Sequence, residues 1–282
     1  SYIFLRDMRA YKGFLFSTII VLIVFNGWIW QQVYFQTLAE PAIYFLDIGQ
    51  GDSQLITFPS VKILIDGGRD QRVLSELDKA LPDFDDNVID LVILTHPDSD
   101  HFGGLIDVLK NYKVGAFISN GQLGKSRKFE ELQSTLADLN LETTSLMAGD
   151  YIKYKDYYLS ILSPDQIALS KDNKNEAGLV TMLEVNGNNV LLTGDIGFET
   201  EERLIKKYSL RSDVLKVGHH GSRFSSSREF VEQVGPRISI IGVGKNSYGH
   251  PHPQVLAILA SINTTVYRTD LDGTIKIILD KK

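Results

Sequence analysis

The hydrophobic pattern of the chain changes near residue 40. No residue between Lys12 and Glu40 carries a formal charge, and residues 14–30 read FLFSTIIVLIVFNGWIW, an almost unbroken aliphatic and aromatic run. A membrane-crossing helix needs about 20 largely apolar residues, so the pattern predicts a transmembrane helix over residues 13–36 with Gln31 and Gln32 among the headgroups. Trp28, Trp30 and Tyr34 stand where an interfacial aromatic belt forms, and Arg6, Arg9 and Lys12 precede the run. Basic flanks tend to remain cytoplasmic. Residues 1–12 are therefore expected inside and everything after Glu40 on the extracytoplasmic side of the plasma membrane. A buried core helix and a cleaved signal peptide ending at Thr37-Leu38-Ala39 are the competing readings; the tryptophans and the length beyond the apolar run argue against cleavage. The sequence opens on Ser1, so a fragment whose anchor is the last of several membrane helices is a further expectation.

After residue 40 the apolar runs become short. Residues 43–46 predict a strand that ends in Asp47-Ile48-Gly49-Gln50-Gly51-Asp52. Residues 54–58 and 61–65 predict a hairpin turned at Pro59-Ser60, 72–81 a helix, 89–94 a buried strand, 104–112 a helix, 114–119 a strand and 129–139 a helix. Strands are expected again at 151–155, 157–162, 180–185 and 190–193, the last two joined by Asn186-Gly187-Asn188-Asn189, a strong hairpin signal. A helix at 199–207, a strand at 214–217, a helix at 228–234, a strand at 238–243 and a helix at 253–262 follow. Residues 266–268 with 274–279 are expected to close the chain as a hairpin. Two strand-rich halves with helices after strands predict an α/β fold of two packed sheets with helices outside.

The composition is that of a globular protein: 282 residues, 43% hydrophobic and 23% charged. Disordered, collagen-like and low-complexity classes are excluded. The absence of cysteine excludes disulfides, cysteine-ligated zinc and a cysteine nucleophile. The formal net charge is −6. The first forty residues hold three basic and two acidic side chains, which leaves 26 basic and 33 acidic in the rest, a net of −7. Such a chain does not wrap nucleic acid by general charge; any polyanion must be held by a local patch or a metal, and delivered by a channel or a partner.

The histidines carry the chemical signal. All six fall in three tight clusters: His96 with His101, His219 with His220, and His250 with His252. Each follows an expected strand or sits on a loop, where sites are usually built. In His96-x-Asp98-x-Asp100-His101, four ligand-type side chains within six residues can converge on cations only from a tight loop. A polar turn in which Asp100 caps the following helix is the plain alternative, and it leaves His96 and Asp98 without a task. Asp195 ends an apolar strand directly after Gly194, either as a turn residue or projecting into the same cleft. His219-His220-Gly221-Ser222 follows another strand, and His250-Pro251-His252-Pro253 is a stiff loop.

Asp66-Gly67-Gly68, the His96–His101 cluster, Gly194-Asp195 and His219-His220 together resemble the metallo-β-lactamase superfamily. A narrower likeness covers residues 41–280. Phe45-Leu46-Asp47-Ile48-Gly49-Gln50-Gly51-Asp52-Ser53, Lys216-Val217-Gly218-His219-His220-Gly221-Ser222, Tyr248-Gly249-His250-Pro251-His252-Pro253 and Arg268-Thr269-Asp270-Leu271-Asp272-Gly273 resemble the C-terminal domain of the ComEC-type competence family. Two departures from the wider superfamily matter. Asp98 replaces the second histidine of the usual His-x-His-x-Asp-His loop, a change the ComEC type shares, and no histidine lies between His101 and His219. Fewer nitrogen and more oxygen donors favour harder cations, so manganese is expected ahead of magnesium or zinc.

The resemblance implies an αββα sandwich over residues 41–282 and two divalent metal ions between the ends of its sheets. It assigns His96, Asp98 and Asp195 to one ion and Asp100, His101, Asp195 and one of His219 or His220 to the other. His220 is the favoured ligand, with His219 facing substrate. Asp66 and Asp47 would support the ligands, and His252 or His219 would protonate a leaving group. Ser222, Arg223, Arg228, His250 and Lys245 are the candidates for gripping substrate; a solvated helix entrance is the alternative for the two arginines. The implied activity is a membrane-anchored phosphodiesterase that degrades one DNA strand, single-stranded at the site, during natural transformation, with channel helices or other DNA-uptake proteins as partners. Hydrolysis of a cell-wall phosphorylcholine diester, a lactone or a thioester, and a non-catalytic DNA-binding or channel-gating domain, are the alternatives.

Overall fold

The computed structural model describes residues 2–38, 40–81, 87–171 and 173–282, with the backbone alone for 2–10 and 31–38. The chain divides into two compact units, residues 1–40 and 41–282. The first is a single helix, α1 (Tyr2–Leu38). Its stretch Tyr11–Trp30 is long and apolar enough to cross a membrane, and its side chains are exposed. The side chains of Arg6, Arg9, Tyr34, Thr37 and Leu38, and the whole of Ala39, lie outside the described residues.

The second unit contains two seven-stranded sheets. The first holds β1 (Ala42–Phe45), β2 (Gln54–Phe58), β3 (Val61–Ile65), β4 (Val88–Leu94), β5 (Lys113–Ser119) and β6 (Thr143–Ser145). The second holds β7 (Tyr151–Tyr154), β8 (Tyr157–Ser163), β9 (Val180–Val185), β10 (Asn188–Leu192), β11 (Val214–Lys216), β12 (Ile238–Ile241) and β13 (Thr265–Arg268). The last strand, β14 (Ile275–Ile278), returns to the first sheet and pairs antiparallel with β1. The expected closing hairpin is therefore wrong. The short helix α10 (Thr269–Asp272) separates β13 from β14 and carries the chain from one sheet to the other, with β13 parallel to β12.

Alternation along the strands builds three hydrophobic layers. Ile56, Ile93, Val190 and Leu192 face the layer between the sheets, together with Phe45, Leu159 and Leu183. Leu55, Leu64 and Val92 point the other way, onto α2 (Arg72–Ala80), α3 (Ser99–Phe102), α4 (Leu105–Asn111) and α5 (Arg127–Asp138). Leu191 and Leu215 pack on α7 (Phe198–Lys207), α8 (Arg228–Val234) and α9 (Pro253–Ser261), while α6 (Gln166–Leu169) bridges β8 and β9. The α/β, αββα expectation is borne out. The loops that leave β4, β10, β11 and β12 carry the histidine and aspartate clusters.

Candidate metal centre

The loop after β4 supplies His96, fully buried, and then turns into α3 with Asp98 at its N-cap position and His101 buried in its last turn. Asp66, just past β3, is the hub behind this loop. Its carboxylate accepts the Thr95 backbone N–H (2.8 Å) and the Thr95 hydroxyl (2.7 Å), and pairs with His101 Nδ1 at 2.7 Å. The Thr95 hydroxyl also lies 3.0 Å from His96 Nδ1. Both imidazoles are therefore held from behind through Nδ1, which leaves Nε2 facing forward, as metal-binding histidines require.

Asp195 enters from the end of β10. Gly194 adopts φ +52°, a left-handed turn that favours glycine. Asp195 Oδ2 stands 3.3 Å from the Nε2 atoms of both His101 and His220. His219 and His220 both hold left-handed backbone angles, φ/ψ 49°/47° and 54°/25°. This costs about 1–2 kcal/mol per non-glycine residue. The turn is pinned by His219 N–H donating to Gly194 O (3.1 Å). It drives His220 inward, with Nδ1 2.8 Å from Gly242 O, and leaves the His219 side chain 31% exposed at the rim, Nε2 3.8 Å from Asp195 Oδ2. Asp100 Oδ2 lies 3.6 Å from His220 Nε2, and Asp98 Oδ2 3.7 Å from His96 Nε2.

Among the described residues three ligand triads follow: His96, His101 and Asp195; Asp100, His101 and His220; Asp52, Asp195 and His220. The residues fit a divalent cation. The Nε2 atoms of His96, His101 and His220, together with Asp195 Oδ1, are buried without a hydrogen-bond partner, a costly arrangement for polar atoms. Electrostatics agree. Burial would lower His101 and His220, but Asp195 with Asp66, and Asp195 with Asp52, hold both well above the usual histidine range. Burial would raise Asp195, yet His220 and His101 keep it well below the usual carboxylate range. Burial, with His101 beside it, pushes His96 down to about 4. Metal binding at such a centre displaces protons from its imidazoles.

Two residues that the sequence reasoning left unassigned complete the centre. Lys216 and Asp52, each 1% exposed, form a buried ion pair; Lys216 Nζ also reaches Gly194 O (3.2 Å) and stands 3.8 Å from Asp195 Oδ1. Asp52 Oδ1 lies 3.5 Å from His220 Nδ1. The two come close because Gly242 has no side chain: a Cβ there would fall 2.5 Å from Asp52 Oδ1. Asp47, expected to support the ligands, instead accepts Gly49 N–H (3.3 Å) within its own loop; Asp52 is the carboxylate that this loop sends inward. Lys174 Nζ meets Asp98 Oδ1 at 3.3 Å. Lys216 was detectable as a lone charge inside an apolar strand.

The remaining candidates lie around this centre. The His250 ring is 5.7 Å from that of His219 and 6.5 Å from that of His220. His252 accepts Gln254 N–H at Nδ1 (3.3 Å) as the cap of α9, a role that occupies one of its ring nitrogens. Ser222 is buried, and its hydroxyl accepts Phe224 N–H (3.3 Å). The Arg223 guanidinium lies over the Phe224 ring, and Arg228 donates to Ser261 Oγ (3.0 Å). Both arginines line a surface pocket of about 300 Å³ beside α8 and α9, and Lys245 is exposed.

The sequence profile of the Metallo-beta-lactamase superfamily matches residues 46–245. The chain belongs to the metallo-β-lactamase superfamily. It is 34% identical over 257 residues to ComE operon protein 3 of Bacillus subtilis, a match covering 84% of this chain and 33% of that protein. It is 30% identical over 250 residues to Recombination protein 2 of Haemophilus influenzae, covering 86% and 30%. Competence protein ComA of Neisseria gonorrhoeae is 29% identical over 240 residues, covering 84% and 32%. The chain thus spans about a third of the length of these relatives. Among solved structures it is similar to the metallo-β-lactamase fold protein YhfI of Bacillus subtilis, with a TM-score of 0.59 at 12% identity over 85% of this chain and 100% of that one. Superfamily membership and the convergent His/Asp groups point to a metal-dependent hydrolase.

Proposed function

We propose that residues 41–282 form a metal-dependent phosphodiesterase that cleaves single-stranded DNA at a ComEC-type uptake channel during natural transformation. The observation that carries this reading is the convergence of His96, His101 and His220 Nε2 on Asp195, with Asp98 and Asp100 at the rim. Relatives named for competence supply the biological setting. The apolar α1 and those relatives are consistent with a membrane anchor, which on this reading holds the hydrolase outside the cytoplasm.

His96, Asp98 and Asp195 would hold one divalent cation, and Asp100, His101, Asp195 and His220 a second, with manganese favoured by the oxygen-rich set. Bound there, such a pair supplies an acidified water and polarises a phosphoryl oxygen. The protein does the rest. Asp66 and Gly242 O fix the tautomers of His101 and His220 so that Nε2 faces forward. Lys216 holds the rear oxygen of Asp195. Burial lowers the His219 pKa below the ordinary histidine value, which favours its neutral form. Its Nε2 can accept the proton that the attacking water gives up and donate it to the departing sugar oxygen.

The test is hydrolysis of a single-stranded oligonucleotide and of a choline-phosphate ester by the full chain in detergent with manganese. Asp195→Ala is expected to abolish DNA cleavage, a loss of at least about a hundredfold, while strand binding persists. Equal, metal-insensitive behaviour of the variant and the parent would refute the reading, and cleavage of the choline ester alone would replace it.

A further inference from the structure

The loop between β12 and α9 is more rigidly built than a connection requires. Asn246 Oδ1 accepts the backbone N–H groups of Tyr248 (3.1 Å) and His250 (3.0 Å), and its Nδ2 donates to Gly244 O (2.9 Å) and His250 O (2.8 Å). Gly244 N–H in turn donates to Gln50 Oε1 (3.3 Å), which joins this loop to the one carrying Asp52. On this frame a series of rings leads outward from the centre. His220 lies 6.5 Å from His250 at 35°, His219 lies 5.7 Å from His250 at 76°, and His250 lies 5.7 Å from Tyr248 at 32°. Burial falls along the series, from 2% exposed at His220 to 67% at Tyr248.

A single exposed tyrosine is ordinary. This one has its backbone N–H bound to Asn246 in a loop tied by four hydrogen bonds, with the His250 ring 5.7 Å away and tilted 32°, and most of its ring in solvent. Phe224, an exposed aromatic in the segment that follows the histidine pair, already carries the Arg223 guanidinium on its ring at 4.7 Å. Tyr248 has what a stacking surface needs: an anchored backbone, a largely exposed ring and a place one ring beyond His250, which itself lies 5.7 Å from His219. Aromatic side chains of this kind hold bases of single strands without regard to sequence.

We infer that Tyr248 is the platform on which a nucleobase next to the scissile phosphate stacks, so that the centre selects nucleotide diesters over small, ring-free ones. The inference rests on the phosphodiesterase reading and names its substrate class. A small choline diester would leave the platform unused.

The experiment compares an oligothymidylate with an abasic strand of equal length, using the full chain in detergent with manganese. In the parent, KM is expected to be about tenfold lower for the base-bearing strand, near the lower end of the effect of one base–aromatic stack. Tyr248→Ala should raise that KM about tenfold to the abasic value with little change in kcat, and Tyr248→Trp should restore it. A KM that stays within twofold in Tyr248→Ala, or rises equally for the abasic strand, overturns the platform and leaves the phosphodiesterase reading standing. If the parent cleaves neither strand, that reading fails. Fluorescence anisotropy of the labelled strands then decides the platform by the same tenfold criterion in Kd.

Discussion

Lys216→Met provides a direct measure of what stabilises the centre before any cation arrives. Lys216 and Asp52 are each 1% exposed, and the same ammonium stands 3.8 Å from Asp195 Oδ1 and 3.2 Å from Gly194 O. Methionine keeps the volume and removes the charge. Asp52 is then left with His220 and the more distant His101 as its positive neighbours, and Asp195 is deprived of its rear counter-charge. Breaking a buried pair from one side costs about 3–5 kcal/mol, because the surviving charge is uncompensated. For a unit of this size about 2–4 °C of Tm follows each kcal/mol, so a fall of roughly 6–20 °C is expected. Both tryptophans, Trp28 and Trp30, lie in α1, and the hydrolase unit itself contains none. Near-UV circular dichroism of the tyrosines, in detergent and excess chelator, is the suitable readout. Lys216→Met combined with Asp52→Asn removes both charges and should recover at least half of the loss, a coupling visible in the double-mutant cycle. Manganese should narrow the gap between Lys216→Met and the parent by supplying positive charge beside Asp195. A single variant costing less than about 1 kcal/mol, or a double variant costing the sum of the singles, would show that the pair is not the counter-charge argued here.

Three further outcomes are expected. His219→Asn should leave stability within about 0.5 kcal/mol, because asparagine tolerates left-handed backbone, whereas His219→Val should cost at least about 1 kcal/mol in urea unfolding; equal costs would refute the strain argument. Burial pushes the Glu201 carboxyl up from the ordinary glutamate value, against donation from the Ser226 and Ser227 N–H groups. The folded state therefore binds more protons, and the parent's stability relative to Glu201→Gln should fall as pH rises from that ordinary value through the raised one. Parallel urea midpoints between about pH 4 and pH 7 would contradict this. Manganese at a hundredfold excess over its Kd should stabilise the parent by about 2.7 kcal/mol against chelator, and His220→Ala by far less.

The parts of the fold legible in the sequence were those where local chemistry and packing agree. Residues 54–58 and 61–65 alternate around Pro59-Ser60, and the structure places β2 and β3 over those spans. Residues 228–234 begin after the Ser227 cap and end at Gly235 in a left-handed conformation, so α8 was bounded by its own signals. β6 was missed because Thr143–Ser145 is a fully exposed edge strand with no apolar pattern. The error at β13 and β14 has a different origin. Two apolar runs close in sequence look like a hairpin, and nothing local reveals that their partners are Ile238–Ile241 and Ala42–Phe45. The same limit applied at the centre. Clustering marked the histidines, but the choice of Asp52 over Asp47 depends on the open space beside Gly242, which only the assembled sheets define.

The return of β14 to β1 has a consequence for how the protein is made. Ile43 and Ile277 are register partners, and Leu279 N–H closes onto Pro41 O at 2.8 Å. The opening strand of the hydrolase thus waits for Ile275–Ile278, made after both sheets' other strands, before its outer edge is covered. Until then the nascent chain presents an unpaired ribbon, and a product cut short before Ile275 would leave that edge open to proteases and to other chains.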